Sequence, residues 1–191
     1  TSPGDGCDAV CQVEPGWECV DASFEIDVAQ VLVADPSSEA PDWTISDDGT
    51  TVTQANNAEP AVFVSTMPAV GVTMTFDLTV NTSSDDDYIG WVIGYSEDEA
   101  TQEDGADWLL FDWKQGDQDW DGYFAAAGLA WSRVQAPITD PHDLWGHYGV
   151  VAEQGRALNL GYSGWGDNTT YRVTVSYSLS GFQVWVDDVL E

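Results

Sequence analysis

The chain of 191 residues carries 34 acidic side chains against four Lys and Arg, a formal net charge of −30, on a background that is 43% hydrophobic with ten Trp, seven Tyr and six Phe. This length holds one sizeable core and a short appendage rather than two full domains, and so apolar and aromatic a composition rules out a disordered acidic tail. The charge disfavours nucleic acid and anionic membranes, which are recognised by clustered Lys and Arg, and its self-repulsion has to be offset by bound divalent cations or by salt.

Residues 1–20, TSPGDGCDAVCQVEPGWECV, are rich in Gly and Pro and too short for a core of their own. Cys7, Cys11 and Cys19 crowd into this piece, which reads as a small disulfide-stapled module in an oxidising, extracellular setting. A zinc site is the weaker reading, since the nearest histidine is His142. The pattern of Gly4, Asp5, Gly6, Cys7, Cys11, Gly16, Trp17 and Cys19 resembles the end of a bacterial cysteine-rich repeat of the kind common in myxobacterial surface proteins. The resemblance implies an odd thiol whose partner lies upstream, with Cys11 to Cys19 and Cys7 to Cys19 both open as pairings. No apolar run approaches the roughly 18–20 residues that cross a bilayer, and no charged start followed by an apolar segment reads as a signal peptide. The chain is expected to be soluble, with no membrane insertion.

The remainder, 21–191, reads as one β domain. Ala22 to Ala34 is the one plausible helix, although Phe24, Ile26, Val28, Val31 and Val33 alternate as well as they turn. Short runs of Val, Ile, Thr, Phe and Trp follow, separated by Gly, Pro, Asn and Asp. The predicted strands are Trp43 to Ser46, Thr51 to Ala55, Ala61 to Ser65 and Gly71 to Asn81. In the last of these Val72, Met74, Phe76, Leu78 and Val80 share one face and Thr73, Thr75, Asp77 and Thr79 the other, which marks a sheet with one wet side.

Asn81 to Tyr95, NTSSDDDYIGWVIGY, joins an acidic loop to an apolar strand and is the stretch around which the domain is organised. Asp85, Asp86 and Asp87 repel one another unless something neutralises them. Ca²⁺ suits such a loop because it takes about 6–8 oxygen ligands and tolerates irregular mixtures of carboxylate, carbonyl and water. The plain alternative is a solvated turn. The strand after it, with β-branched and aromatic residues in a continuous run, is expected to have apolar cover on both faces.

Further strands are predicted at Trp108 to Lys114, Gly128 to Val134, Ala157 to Leu160, Thr170 to Ser178 and Phe182 to Val186, the last two joined as a hairpin through Ser178 to Gly181. Between them Asp117, Asp119 and Asp121, in GDQDWDG, alternate like a second calcium loop but lack the Glu and the length of an EF-hand. His142 and His147, in HDLWGH, do not match a helical metal pair and are expected in a loop. With so few cations, Lys114 and Arg172 are each expected to pair with a carboxylate.

Many short strands and almost no helix place the fold in the all-β class, as an antiparallel sandwich or jelly roll. Five features then carry a family resemblance: Trp43, Asp47, Asp48, Val52 and Gln54; Asp85 to Asp87 with Tyr88, Gly90, Trp91, Val92, Gly94 and Tyr95; Trp113, Lys114 and Gln115; Leu144 and Trp145; and Gly164, Trp165, Asp167, Thr169, Tyr171 and Arg172. In this order and over about three quarters of the chain, they resemble the lectin-like C-terminal domain of thrombospondins and its bacterial relatives. The resemblance implies a concanavalin-like jelly roll that binds Ca²⁺ through Asp85, Asp86 and Asp87, has no enzymatic activity, and works in extracellular adhesion and matrix assembly. The family runs on for two more strands after the stretch matching Phe182 to Val186, so the sheet is expected to be short of its last strands, with its edges open to another chain.

The expected function is that of a secreted or surface-displayed, calcium-binding adhesion or matrix-recognition domain. Its partners would be a matrix or cell-surface protein, or a second copy of itself. A calcium-dependent carbohydrate-binding module is the alternative, because Trp120, Tyr123, Trp145, Tyr148 and Trp165 fall in predicted loops where aromatic rings could stack on a glycan. Whether they share one exposed face or point inward separates the two readings. An enzyme is disfavoured: no strand carries the carboxylate pair of a glycoside hydrolase, and no GxSxG is present.

Overall fold

The computed structural model describes residues 28–35, 37–65, 70–84, 87–97, 99–101 and 106–191. Cys7, Cys11 and Cys19 lie outside these residues, as do Asp85 and Asp86.

Fourteen strands, one short α-helix and a single 3-10 turn at Glu99–Thr101 are found among the described residues. The strands and the α-helix are β1 (Val28–Val31), β2 (Trp43–Ile45), β3 (Val52–Gln54), β4 (Ala61–Val64), β5 (Val72–Thr79), β6 (Tyr88–Ile93), β7 (Trp108–Lys114), β8 (Gln118–Trp120), β9 (Tyr123–Ala125), β10 (Gly128–Val134), α1 (Pro141–Gly146), β11 (Val151–Arg156), β12 (Thr170–Ser178), β13 (Gly181–Val186) and β14 (Val189–Leu190). A front sheet in the order β11-β10-β7-β6 and a back sheet in the order β14-β13-β12-β5 are both antiparallel, and three two-stranded ribbons pair β1 with β4, β2 with β3 and β8 with β9. The fold is an all-β antiparallel sandwich.

Two apolar layers follow from the period-2 alternation of strands. Ile93 and Phe111 of the front sheet meet Val173, Val175 and Val184 of the back sheet, with Met74, Phe76, Leu78, Trp91 and Phe182 packed around them. Trp91 lies flat on Phe111, 5.2 Å between centroids and 9° between planes. On the outer side of the front sheet, Trp108, Leu110, Val134 and Val151 pack with Leu32, Val33 and Val62 from around β1 and β4, and with Leu144 of α1. The front sheet is therefore covered on both sides, whereas the back sheet keeps one wet face. There Thr73 meets Ser176, Thr75 meets Thr174 and Thr79 meets Thr170 through hydroxyl contacts of 3.3, 3.0 and 2.9 Å.

The strand that opens at Tyr88 does have apolar cover on both faces: Tyr88 and Val92 belong to the outer layer, Ile89 and Trp91 to the inner ones. It is nonetheless the edge of its sheet, next to the more deeply buried β7. Gly90 allows the close approach, since a Cβ there would sit 1.9 Å from the carbonyl oxygen of Phe111.

Three expectations are corrected. Within Ala22 to Ala34 the described part holds a strand, β1, paired residue for residue with β4, so the alternation in that stretch outweighs its helical spacing. Ala157 to Leu160 forms turns, and the strand lies earlier, at β11, whose polar text VAEQGR suits a sheet edge. HDLWGH is a capped helix rather than a loop. Asp140 accepts the backbone N–H of His142 as N-cap, Pro141 occupies the first turn, and His147 closes the helix in the left-handed region at φ 59°.

Candidate functional site

β7 is the central strand on which the polar chemistry converges. Alternation sends Leu109, Phe111 and Trp113 toward the back sheet and Trp108, Leu110, Asp112 and Lys114 toward the outer layer, so the run ends by placing one acid and one base inside the protein. Asp112 and Lys114 are 0% and 2% exposed, too deep for either to stand alone as an ion. The Lys114 ammonium donates to Asp112 Oδ2 and sits 5.4 Å from the ring centre of Tyr88. Burial alone would push the Asp112 carboxyl up, but Lys114 and His147 hold it below the usual carboxylate range.

His147 reaches this pair from the end of α1. Its Nε2 is 2.8 Å from Asp112 Oδ1 and its Nδ1 is 2.8 Å from Glu153 Oε2 on β11. Glu153 is in turn gripped by Arg156, whose Nε and Nη2 donate to its two oxygens at 2.9 Å each. Desolvation opposes ionisation of Glu153, but Arg156 and His147 leave its carboxyl lowered. The two remaining cations are also paired, Arg133 with Asp107 through two 2.6 Å contacts and Arg172 with Asp77 at 3.4 Å. The pairing expected for Lys114 and Arg172 is found in both, the first buried and the second exposed.

Of the predicted calcium loop, Asp87 is described. Its carbonyl accepts the Gln115 N–H at 3.4 Å, and the Gln115 side chain donates to Asp167 at 2.8 Å, which draws the WKQ and GWGDNT segments to the base of the loop. The neighbouring Tyr88 hydroxyl is buried without a hydrogen-bond partner among the described residues. Burial first, then the charges of Asp112 and Asp87, push its ionisation far above the ordinary phenol value. Asp87 is the one carboxylate of the predicted triplet among the described residues, and the Lys114 ammonium lies over the Tyr88 ring.

Asp117, Asp119 and Asp121 belong to the β8–β9 ribbon. Asp117 accepts the Ala127 N–H at 2.8 Å and Asp119 the Gly122 N–H at 2.9 Å. Asp121 and Gly122, at φ 52° and 87°, form the two-residue turn that the strand twist requires. Among the described residues no three His, Cys, Asp or Glu side chains are close enough to hold a metal ion.

The turn sets Trp120 opposite Tyr123, and the ring of His142 slots between them, 4.2 Å from the first and 4.3 Å from the second. Tyr123 and Tyr148 contribute exposed edges and meet at 70°, so they do not form a flat platform. Trp145 is 6% and Trp165 3% exposed; both point inward, Trp145 donating its indole N–H to the Tyr123 carbonyl at 3.1 Å. Sequence reasoning missed Asp112, Glu153 and the role of His147. An acid two residues before a lysine inside an apolar strand was the available signal.

Residues 38–186 match the family described as the thrombospondin C-terminal region. The chain is 31% identical over 158 residues to cartilage oligomeric matrix protein of Rattus norvegicus, an alignment covering 75% of this chain and 20% of that protein. It is 30% identical over 158 residues to thrombospondin-4 of Bos taurus, covering 75% and 16%, and 27% identical over 162 residues to thrombospondin-3b of Danio rerio, covering 78% and 17%. The chain thus spans a fifth or less of the length of these curated relatives.

Proposed function

Because the chain belongs to the thrombospondin C-terminal region family, we propose that it is a non-enzymatic, calcium-binding domain for extracellular adhesion or matrix recognition. Its similarity to a matrix protein and to thrombospondins supports reading it as a domain of the matrix-associated, structural kind. Among the described residues no helix is long and apolar enough to cross a membrane.

The observation that carries the calcium reading is the acidic triplet in the sequence immediately before β6, inside the matched region. Asp85, Asp86 and Asp87 would hold the ion. When bound, it supplies a fixed positive charge at a place of strong repulsion. The protein's own part is to anchor the loop, through Tyr88 in the outer core and Gln115 between Asp87 and Asp167. Residues 1–20 are proposed as a separate disulfide-linked stub, to be checked by non-reducing mass spectrometry for at least one bridge.

Calorimetric titration with Ca²⁺ tests the assignment. Saturable binding to the parent, abolished in Asp86→Ala/Asp87→Ala, is expected; equal binding by both proteins would put the ion elsewhere. At free ion about 100 times its dissociation constant, a site of this kind adds about 2.7 kcal/mol of stability. A glycan array run alongside addresses carbohydrate recognition, for which inward-facing Trp145 and Trp165 offer no stacking surface.

A further inference from the structure

The chain has two histidines, and they stand at opposite ends of the same six-residue helix with different demands for protons. At the N-terminal end, His142 Nδ1 lies 2.6 Å from Asp140 Oδ1, and a single hydrogen on that nitrogen completes the contact. Its Nε2 is buried with no partner among the described residues, and its ring is clasped by Trp120 and Tyr123, with Asp35 and Asp143 as the other carboxylates in electrostatic reach. A neutral ring therefore suffices for His142.

His147 is different, because each of its ring nitrogens faces a carboxylate oxygen at 2.8 Å. A neutral imidazole has one N–H and one lone pair, so whichever tautomer it adopts, a lone pair is pressed against Asp112 or Glu153. Only the ring with both hydrogens donates on both sides. The side chain is 5% exposed, so water cannot readily take over the failed contact. The surrounding charges are Asp112 and Lys114 on β7 and Glu153 and Arg156 on β11, with the Tyr88 ring of β6 beneath the ammonium. Lys114 Nζ, 3.4 Å from Nε2, opposes the added positive charge, and the two carboxylates favour it. Two acids and two bases cancel, so the imidazolium is the one charge the cluster carries in excess, inside a molecule of net charge −30.

We propose that His147 is a proton-dependent clamp: charged, it fastens α1 to β7 and β11, and on losing its proton it releases the helix together with the β8–β9 ribbon that the helix holds. Apart from α1, the ribbon is held through Ala125, which is 2% exposed, and through the Ala127 N–H to Asp117, so release means a loosened seam against the helix rather than detachment. Its contacts with α1 run through Trp120 and Tyr123 to His142 and through the Trp120 ring and the Tyr123 carbonyl to Trp145. The exposed edges of Tyr123 and Tyr148 belong to the same unit, so the clamp decides whether that surface is presented in one fixed form.

Amide hydrogen exchange of the full chain, corrected for intrinsic base catalysis and followed from about pH 5.5 to about pH 8.5, where imidazoles change charge, reads the clamp directly. Protection in α1 and the β8–β9 ribbon is expected to fall by about fivefold or more as pH rises, since one proton taken up on closing changes the equilibrium by at most tenfold per pH unit, while β12 and β13 stay level. His147→Gln should abolish this dependence and His142→Gln should leave it in place. Equal pH dependence in both sheets, or its persistence in His147→Gln, overturns the proposal. Should His147→Gln not fold, ¹⁵N shifts of the parent decide: both His147 nitrogens must carry hydrogen at the acid end and one must lose it across the range, and a ring with one hydrogen throughout refutes the clamp.

Discussion

His147 Nε2 lies 2.8 Å from Oδ1 of Asp112, a carboxylate with no exposure to solvent. The contact ties the end of the only α-helix among the described residues to the central strand of the front sheet. The stability of this region consequently depends on charge in two opposite directions.

On the acid side, the Asp112 and Glu153 carboxyls both stay ionised to lower pH in the folded state than in the unfolded chain. A lowered folded value means that the unfolded chain takes up protons first. The stability these groups contribute is present above the unfolded carboxylate range of about 4 and is lost as pH falls through the folded values. Thermal melts between neutrality and about pH 3 should show Tm falling steeply below pH 4, with less of a fall in Glu153→Gln. An unchanged slope in that variant would place the acid sensitivity elsewhere.

Breaking the buried pair from one side should cost far more than removing it whole. Asp112→Leu or Lys114→Met leaves an uncompensated charge at a buried site, for which a loss of about 3–5 kcal/mol is expected. Asp112→Leu/Lys114→Met replaces both ions with apolar groups in an apolar layer and should recover part of that loss, the remainder being the His147 Nε2 contact that Asp112 no longer accepts. Urea denaturation of the three variants measures the cycle, and additive losses would show that the two residues act independently.

Gly90→Ala tests the close approach of β6 to β7. The added methyl would lie 1.9 Å from the Phe111 carbonyl oxygen, and the obstacle is backbone, which cannot swing aside. A loss at or above the upper end of the usual 1–3 kcal/mol for overpacking is expected, and because Asp87 directly precedes β6, weaker calcium binding should accompany it. Unchanged stability would mean that the edge strand can shift freely.

The turn between β13 and β14 offers a stabilising change. Asp187 and Asp188 are both left-handed, at φ 50° and 64°, a conformation that costs a residue with a Cβ roughly 1–2 kcal/mol. Asp187 is committed, since its Oδ1 accepts the Arg172 N–H at 2.9 Å. Asp188→Gly relieves strain and removes one of 34 acidic groups, and should raise Tm by a few degrees despite the extra freedom of the unfolded chain.

Much of the sandwich was legible because its strands alternate against a core. The faces of β5, the limits of β7, β10 and β12, and the β12–β13 hairpin follow directly from the sequence. Edge and outer elements were not legible in this way. β11 has few apolar side chains to alternate, and the described part of 22–34 satisfies two periods at once. α1 is too short for periodicity, and its cap signals, Asp140 followed by Pro141, were the clue passed over. The acidic triplet could be read as a candidate cation loop from charge alone. The Asp112, His147 and Glu153 cluster could not, because its members are 35 and 6 residues apart and meet only when α1 folds down onto the sheet.

Trp120 of the ribbon and Trp145 of the helix stand 5.8 Å apart with their rings at 81°. Two indoles so close and so steeply inclined share their electronic excitation, and a coupled pair of this kind produces a signed doublet in circular dichroism that an isolated ring lacks. The seam between helix and ribbon therefore carries its own optical signature. Its amplitude depends on a separation of a few ångströms, so it would fade as soon as the two elements part, while the backbone signal of the sheets remained.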